Sequence, residues 1–87
     1  MTFAETLRNT RIAARVSMGQ LGRSSGYSRS YISRLEDDLR HPTRGTVMQI
    51  AAALNCTSLE RDRLLVSAGY LPASPWLRTA IEEMVNA

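Results

Sequence analysis

The chain has 87 residues, enough for one compact domain with a modest core and too few for a catalytic domain that carries its own cofactor site. No apolar stretch approaches the roughly 18 residues that a membrane span requires, and the N-terminus lacks the features of a secretory signal. A single cysteine, Cys56, excludes an internal disulfide, so we expect a soluble protein of the reducing cytoplasm.

Charge is distributed unevenly along the chain. Residues 1–44 hold eight arginines against four acidic residues, a net charge of +4, and residues 45–87 carry a net charge of −1. A basic half favours a polyanionic partner, although an excess of this size also fits an ordinary solvated surface. Every cation is arginine, which suits bidentate contacts to phosphate or guanine, but coding bias explains the absence of lysine equally well.

Capping and stop signals divide the chain into about six helices, and no segment is typical of a strand. A capping box, in which Thr2 and Glu5 each satisfy a free backbone amide, predicts a first helix over residues 3–15. One face of this helix carries Phe3, Leu7, Arg11 and Ala14. We therefore expect an all-α protein in which this face points inward.

The next two predicted helices are joined by a tight turn. A second capping box at residues 17–20 starts a short helix, anchored in the core by Leu21 and ended by Gly26. Ser28 caps a third helix that runs to about Asp37. Its apolar stripe is Tyr31, Ile32 and Leu35, and the polar face outside that stripe is Arg29, Ser30, Ser33 and Arg34.

Three further helices are predicted in the second half of the chain. Pro42 and Thr43 start a fourth helix, a capping box at residues 57–60 starts a fifth, and Ser74 with Pro75 starts the last. The fourth and fifth are expected to bury Val47, Ile50, Ala51, Leu54, Leu64, Leu65 and Ala68. The last carries Leu77, Ile81, Met84 and Val85 on one side.

The second and third helices have the spacing of a helix-turn-helix module. With their flanks, they resemble the phage Cro and lambda-repressor type of regulator, the large bacterial xenobiotic-response-element family. The residues that carry this resemblance are Val16, Ser17, Leu21, Gly26, the run from Ser28 to Glu36, and the following segment from Pro42 to Leu54. The resemblance covers roughly residues 3–68.

The resemblance implies a compact, lambda-repressor-like bundle of four or five helices. Residues 1–70 are expected to form the helix-turn-helix DNA-binding domain, and residues 71–87 an added amphipathic helix. This helix either serves as a dimerisation element or folds back onto the core of its own chain. The family pattern also pairs Arg11 with Glu36, which makes Arg11 structural rather than a DNA contact. Because no metal-ligand spacing surrounds Cys56 or the lone His41, both are expected to be structural or simply exposed.

By the same resemblance, the third helix lies in the major groove of double-stranded DNA and the second crosses near the backbone. Arg29 and Arg34 are suited to bind guanine O6 and N7, and Ser30 and Ser33 to reach base edges more permissively. Seven residues are placed at phosphates: Ser17, Gln20, Ser28, Tyr31, Arg40, Thr43 and Arg44. For Tyr31, two roles remain open: a hydrogen bond to phosphate, or packing in the core.

Three residues of the second helix depart from the family pattern: Met18, Gly19 and Ser25. Gly19 and Gly22 each weaken a helix interior by about 1 kcal/mol relative to alanine, so this helix is expected to fray before DNA binds. Ser25 stands where a buried aliphatic side chain is usual. The departures make the second helix the weakest part of the predicted module.

The sequence therefore predicts a sequence-specific, dimeric regulator, a repressor that binds a palindromic operator in the cytoplasm and associates with the nucleoid. Phage or plasmid repressors, restriction-modification controllers and antitoxins share this plan. The alternative is a protein-interaction adaptor whose partner binds residues 71–87. An enzyme is rejected because the chain has no Ser/His/Asp set, phosphate-binding glycine loop or motif-placed carboxylate pair, and no cofactor is expected.

Overall fold

The structure is a computed structural model that describes residues 1–86. Across these residues the chain forms six α-helices and no strand, which confirms the predicted all-α class. The helices are α1 (Phe3–Ala13), α2 (Met18–Ser25), α3 (Arg29–Glu36), α4 (Arg44–Ala53), α5 (Ser58–Ser67) and α6 (Pro75–Asn86). The predicted C-terminal segment also includes Ala87, which lies outside the described residues.

Each of the first five helices is preceded by an N-cap residue whose side chain accepts a hydrogen bond from a first-turn amide, as the sequence predicts. These N-caps are Thr2, Ser17, Ser28, Thr43 and Thr57. The first helix ends two residues earlier than predicted, because Arg15 turns to a φ of 58° and the Val16 amide returns to the Arg11 carbonyl at 3.2 Å. Ala14, predicted on the inner face, is therefore exposed.

The core lies among the first five helices, where α1 packs on α3 and α5, α2 packs on α3 and α4, and α4 packs on α5. Burial of each large aliphatic side chain contributes about 1.5–3 kcal/mol to folding. The fully buried aliphatic side chains are Leu7, Leu21, Ile32, Leu35, Val47, Ile50, Leu64 and Leu65. All of these were predicted core residues, whereas Tyr31 is only half-buried.

The segment that joins α5 to α6 is tied to the start of α4. The Tyr70 hydroxyl donates to the Pro42 carbonyl at 2.7 Å, and the Arg44 guanidinium donates to the Leu71 carbonyl at 2.6 Å. One side chain and one backbone carbonyl of this segment thus have partners on the bundle, which restricts the path of the chain toward α6.

A buried carboxylate fixes the end of the same segment. Asp62 accepts the Ala73 amide at 2.9 Å and the Arg61 Nε at 3.2 Å. Burial raises the pKa of Asp62, but hydrogen bonds from Ser74, the Ala73 amide and Arg61 outweigh it, so the net pKa is lowered. The Ser74 hydroxyl, predicted to cap α6, lies in this cluster and accepts a hydrogen bond from Arg61 Nη2 at 3.1 Å.

The last helix extends away from the bundle, and none of its described residues is buried. Leu77 and Ile81 are partly covered, but Trp76 is 71% exposed and Met84 and Val85 are each 78% exposed. The apolar side predicted for this helix is therefore left largely uncovered by the rest of the chain. No helix within residues 1–86 has both the length and the apolar character needed to cross a membrane.

An ion pair joins α1 to the end of α3. Arg11 Nε lies 2.6 Å from Glu36 Oε2, and Arg11 Nη2 lies 2.9 Å from Glu36 Oε1. The third guanidinium nitrogen donates to the Val16 carbonyl at 2.9 Å. The two side chains are only 13% and 6% exposed, so this bidentate pair is largely removed from water. The predicted Arg11–Glu36 pair is present in the structure.

We expect Glu36→Ala to lower the free energy of unfolding by about 3–5 kcal/mol, because it leaves a mostly buried guanidinium without its carboxylate. Adding Arg11→Met should recover part of this loss, since the double variant contains neither charge. Urea unfolding monitored by circular dichroism measures both changes. A Glu36→Ala variant as stable as the parent would contradict the structural role of the pair.

Candidate nucleic-acid interface

The interface predicted from sequence is centred on α2, α3 and the turn between them. Gly26 ends α2 with a φ of 82°, and its amide donates to the Gly22 carbonyl at 3.0 Å. Ser28 then starts α3, where its hydroxyl accepts the Tyr31 amide at 3.0 Å. A left-handed glycine and an N-cap therefore bound the short turn, and both were predicted from the sequence.

The two helices approach each other most closely at Gly22. A Cβ at this position would lie 2.9 Å from the Tyr27 carbonyl oxygen and 3.1 Å from the Arg29 amide nitrogen. Both contacts are with backbone, which cannot move aside as a flexible side chain can. Sequence reasoning assigned Gly22 only a cost in helix stability, whereas the structure shows that its missing side chain permits the α2–α3 contact.

The outer face of α3 carries the four residues that we predicted to read bases. Arg29, Ser30 and Arg34 are exposed, and Ser33 is partly covered. Neither of the two arginines belongs to an ion pair among the described residues. On the opposite face, Ile32 and Leu35 are fully buried, so α3 is held by its inner side and its polar side faces solvent.

Four of the residues predicted at phosphates take part in capping a helix. The Ser17 hydroxyl accepts the Gln20 amide at 3.1 Å, and Gln20 Oε1 accepts the Ser17 amide at 2.8 Å. Thr43 caps α4 by accepting the Thr46 amide at 3.1 Å. Ser17, Gln20 and Thr43 are all exposed, so a ligand can reach the helix ends they cap. Ser28, an exposed cap, lies at the start of α3.

The remaining candidates differ in their surroundings. The centres of the Tyr27 and Tyr31 rings lie 5.0 Å apart. The Arg40 guanidinium carbon lies 6.0 Å from the centre of the Tyr31 ring, which permits a cation–π contact. Arg40 itself is exposed. Arg44 is half-buried and already donates to Leu71, so only its other N–H groups are available to a ligand.

Beside the predicted residues, the structure contains a polar network that sequence reasoning missed. The Tyr27 hydroxyl lies 3.1 Å from Thr46 Oγ1 and 3.2 Å from Gln49 Oε1, and Gln49 Nε2 donates to the Ser25 carbonyl at 2.9 Å. No spacing rule connects residues so far apart in sequence. The one available signal is Thr46, a polar residue beside the apolar stripe of α4, and it is buried.

Ser25 and Cys56 are both at least partly buried. Ser25, which replaces a usual aliphatic residue, is buried, and its hydroxyl donates to the Gly22 carbonyl at 3.4 Å. Cys56 lies at the far end of α4 and is half-buried. Burial, together with the Glu60 carboxylate, raises the pKa of the Cys56 thiol to about 11, so the reactive thiolate is scarce at neutral pH.

Comparison with known proteins gives one family and two relatives. A protein family described as "Helix-turn-helix domain" matches residues 2–64. Two curated proteins, each called an uncharacterized HTH-type transcriptional regulator, come from Mycobacterium tuberculosis strains CDC 1551 / Oshkosh and ATCC 25618 / H37Rv. Each is 41% identical over 68 residues, which cover 78% of this chain and 46% of the relative.

The chain thus spans about half the length of the curated relatives that it matches. No solved structure matches it. The matched residues, 2–64, include α1 to α4 and most of α5, and therefore the whole surface described above.

We expect Gly22→Ala and Gly19→Ala to have opposite effects on stability. At Gly22, a new methyl group would overlap the Tyr27 carbonyl, so the variant should lose about 1–3 kcal/mol of unfolding free energy. At Gly19, the nearest atom to a new Cβ is Arg23 Nη1 at 3.7 Å, an ordinary contact. Gly19→Ala should therefore gain up to about 1 kcal/mol from helix propensity.

Thermal and urea unfolding of the two variants provide the measurement, and each serves as the matched control for the other. Equal stabilisation by both substitutions would contradict the close approach at Gly22.

Proposed function

The chain belongs to the helix-turn-helix domain family, and from this membership we propose that it is a sequence-specific DNA-binding transcriptional regulator. The observation that carries the proposal is the exposed polar face of α3, held from behind by Ile32 and Leu35. The names of the two mycobacterial relatives support the same function. On the resemblance of residues 3–68, we place the chain with the Cro and lambda-repressor type of regulator.

In the proposed complex, α3 lies in the major groove of double-stranded DNA. Arg29 and Arg34 each bind a guanine through O6 and N7, a contact worth about 1–3 kcal/mol of discrimination against other bases. Ser30 and Ser33 contact base edges through hydroxyl groups, which can donate or accept and therefore tolerate more than one base. Because their backbone is fixed by the buried face of α3, these side chains present their donors from a rigid element.

Phosphate contacts flank the base-reading helix on both sides. The ends of α2, α3 and α4 direct free amides toward an anion, and their capping hydroxyls add donors. Arg40 supplies an exposed charge, and Arg44 supplies the N–H groups that Leu71 leaves free. The full proposed set is Ser17, Gln20, Ser28, Tyr31, Arg40, Thr43 and Arg44.

We further propose that the chain acts as a homodimer that represses transcription by covering a palindromic operator. One module of this size buries too little surface for strong site preference, whereas two related by a two-fold axis read two half-sites about 34 Å apart. The uncovered apolar residues Trp76, Met84 and Val85 support an interface on residues 71–87.

The same uncovered residues favour a second candidate function, an adaptor in which a different protein covers α6. The two proposals differ in what the protein binds, because an adaptor needs no duplex DNA. Salt-dependent binding to duplex DNA, with a preferred sequence, supports the regulator and is not expected of an adaptor.

We expect Arg29→Ala and Arg40→Ala to weaken DNA binding in different ways. After selection of the preferred duplex from a random pool, Arg29→Ala should relax preference at one position of each half-site. Arg40→Ala should weaken binding to every duplex and lower the slope of log affinity against log salt by about one. Fluorescence anisotropy across a salt series measures both quantities.

Arg63→Ala is the matched control, because Arg63 is an exposed arginine on α5, which contributes nothing to the proposed surface. Its affinity and salt slope should equal those of the parent. Equal, sequence-independent losses from Arg29→Ala and Arg40→Ala would contradict the assignment of Arg29 to base reading.

For the dimer, we expect the full chain to sediment as twice its 9.7 kDa mass at micromolar concentration. Deletion of residues 75–87 should give a folded monomer, since it removes α6 but keeps Ala73 and Ser74, which bond to Asp62 and Arg61. Met84→Glu should also weaken the dimer, whereas Glu83→Ala on the same helix should not. A full chain that sediments as a monomer would contradict the proposal.

A further inference from the structure

We infer that Gln49 is a positioning residue for sequence reading, an inference that rests on the proposed DNA-binding function. It acts through a set of hydrogen bonds that we call the turn latch, formed by Ser25, Tyr27, Thr46 and Gln49. The latch connects α4 to the turn that precedes α3. Gln49 itself lies at the surface of α4 and belongs to neither the proposed base-reading set nor the proposed phosphate set.

The first half of the latch holds the end of α2. Gln49 Nε2 donates to the carbonyl oxygen of Ser25 at 2.9 Å. Ser25 is the last residue of α2, where backbone carbonyls lack a partner within the helix. The bond therefore satisfies a group that needs a partner, and it fixes the point at which the chain leaves α2.

The second half holds the turn. The Tyr27 hydroxyl lies 3.2 Å from Gln49 Oε1 and 3.1 Å from Thr46 Oγ1. The Tyr27 hydroxyl is the donor in both contacts, so its one hydrogen is shared between Thr46 Oγ1 and Gln49 Oε1. Thr46 is buried, and its hydroxyl also lies 2.9 Å from that of Thr43, the N-cap of α4. The network thus reaches from the turn to a proposed phosphate contact.

The position of α3 depends on this connection because the turn is short. Only three residues, 26 to 28, separate α2 from Arg29, the first residue of α3. Meanwhile α4 is anchored in the core by Val47 and Ile50, both fully buried. By joining the turn to α4, the latch sets the separation between the phosphate-holding end of α4 and the base-reading start of α3.

Base contacts and phosphate contacts respond differently to a loosened turn. A directional contact to a base edge requires placement within about 0.5 Å, whereas charge attraction to the phosphate backbone tolerates larger displacements. Loss of the latch should therefore reduce discrimination between sequences more than it reduces binding to unrelated DNA. Since a single intramolecular hydrogen bond contributes only about 0.5–1.5 kcal/mol of net stability, the melting temperature should change only slightly.

The test compares Gln49→Met, Tyr27→Phe and the double variant in the full chain. Gln49→Met keeps an uncharged side chain of similar length, and Tyr27→Phe keeps the ring that packs on Tyr31. Each single change should lower the ratio of affinities for the selected duplex and an unrelated duplex by about five- to tenfold. Because both remove the Tyr27–Gln49 bond, the double variant should lose less than the product of the two single losses.

Amide hydrogen exchange of the free protein gives a second readout that does not depend on DNA. Exchange at residues 26–31 should be faster in both single variants than in the parent. The matched control is Tyr70→Phe, which removes a tyrosine hydroxyl bond to Pro42 outside the turn. This control should change neither exchange in the turn nor the affinity ratio.

Unchanged exchange in the turn would overturn the latch, whether or not the protein binds DNA. Faster exchange with an unchanged affinity ratio would overturn its role in sequence reading, as would an equal loss of ratio in Tyr70→Phe. If the parent prefers no duplex over another, the proposed function is wrong, and the positioning role of Gln49 is wrong with it. The exchange data still decide, in that case, whether the hydrogen bonds hold the turn.

Discussion

The close approach of α2 to the start of α3 is the constraint on which the interface depends. At Gly22 the backbones of the two helices nearly touch, with no room for a methyl group. This contact sets how far α3 stands from the rest of the bundle and which of its faces reaches solvent. Leu21 on α2 and Ile32 on α3 are both fully buried in the common core. The close contact at Gly22 and this shared core together hold α3 in place.

Local signals in the sequence were sufficient to predict the helices and most of the core. Five N-caps and the left-handed Gly26 depend on neighbouring residues alone, and helical spacing alone identifies buried positions such as Leu7 and Ile50. The end of α1 was missed because a left-handed arginine, Arg15, ends it, and no common stop signal marks that position.

What sequence reasoning missed depends on residues that only the folded chain brings together. Gly22 looks like a weak point until the Tyr27 carbonyl is seen beside it. Asp62 looks like a surface acid, yet it is buried and accepts the Ala73 amide. The Arg11–Glu36 pair was predicted only through the family resemblance, since the charges themselves do not identify a partner 25 residues away.

The connection between α5 and α6 has a mechanical consequence. Tyr70, Leu71 and Ala73 are each bonded to the bundle, so flexible chain is scarce before α6 begins. We therefore expect α6 to keep one orientation relative to the bundle rather than to move as a flexibly tethered arm. The bonding partners on the bundle include Pro42 and Arg44, which adjoin the N-cap of α4. A partner bound at the far end of α6 is therefore mechanically coupled to the loop that precedes α4.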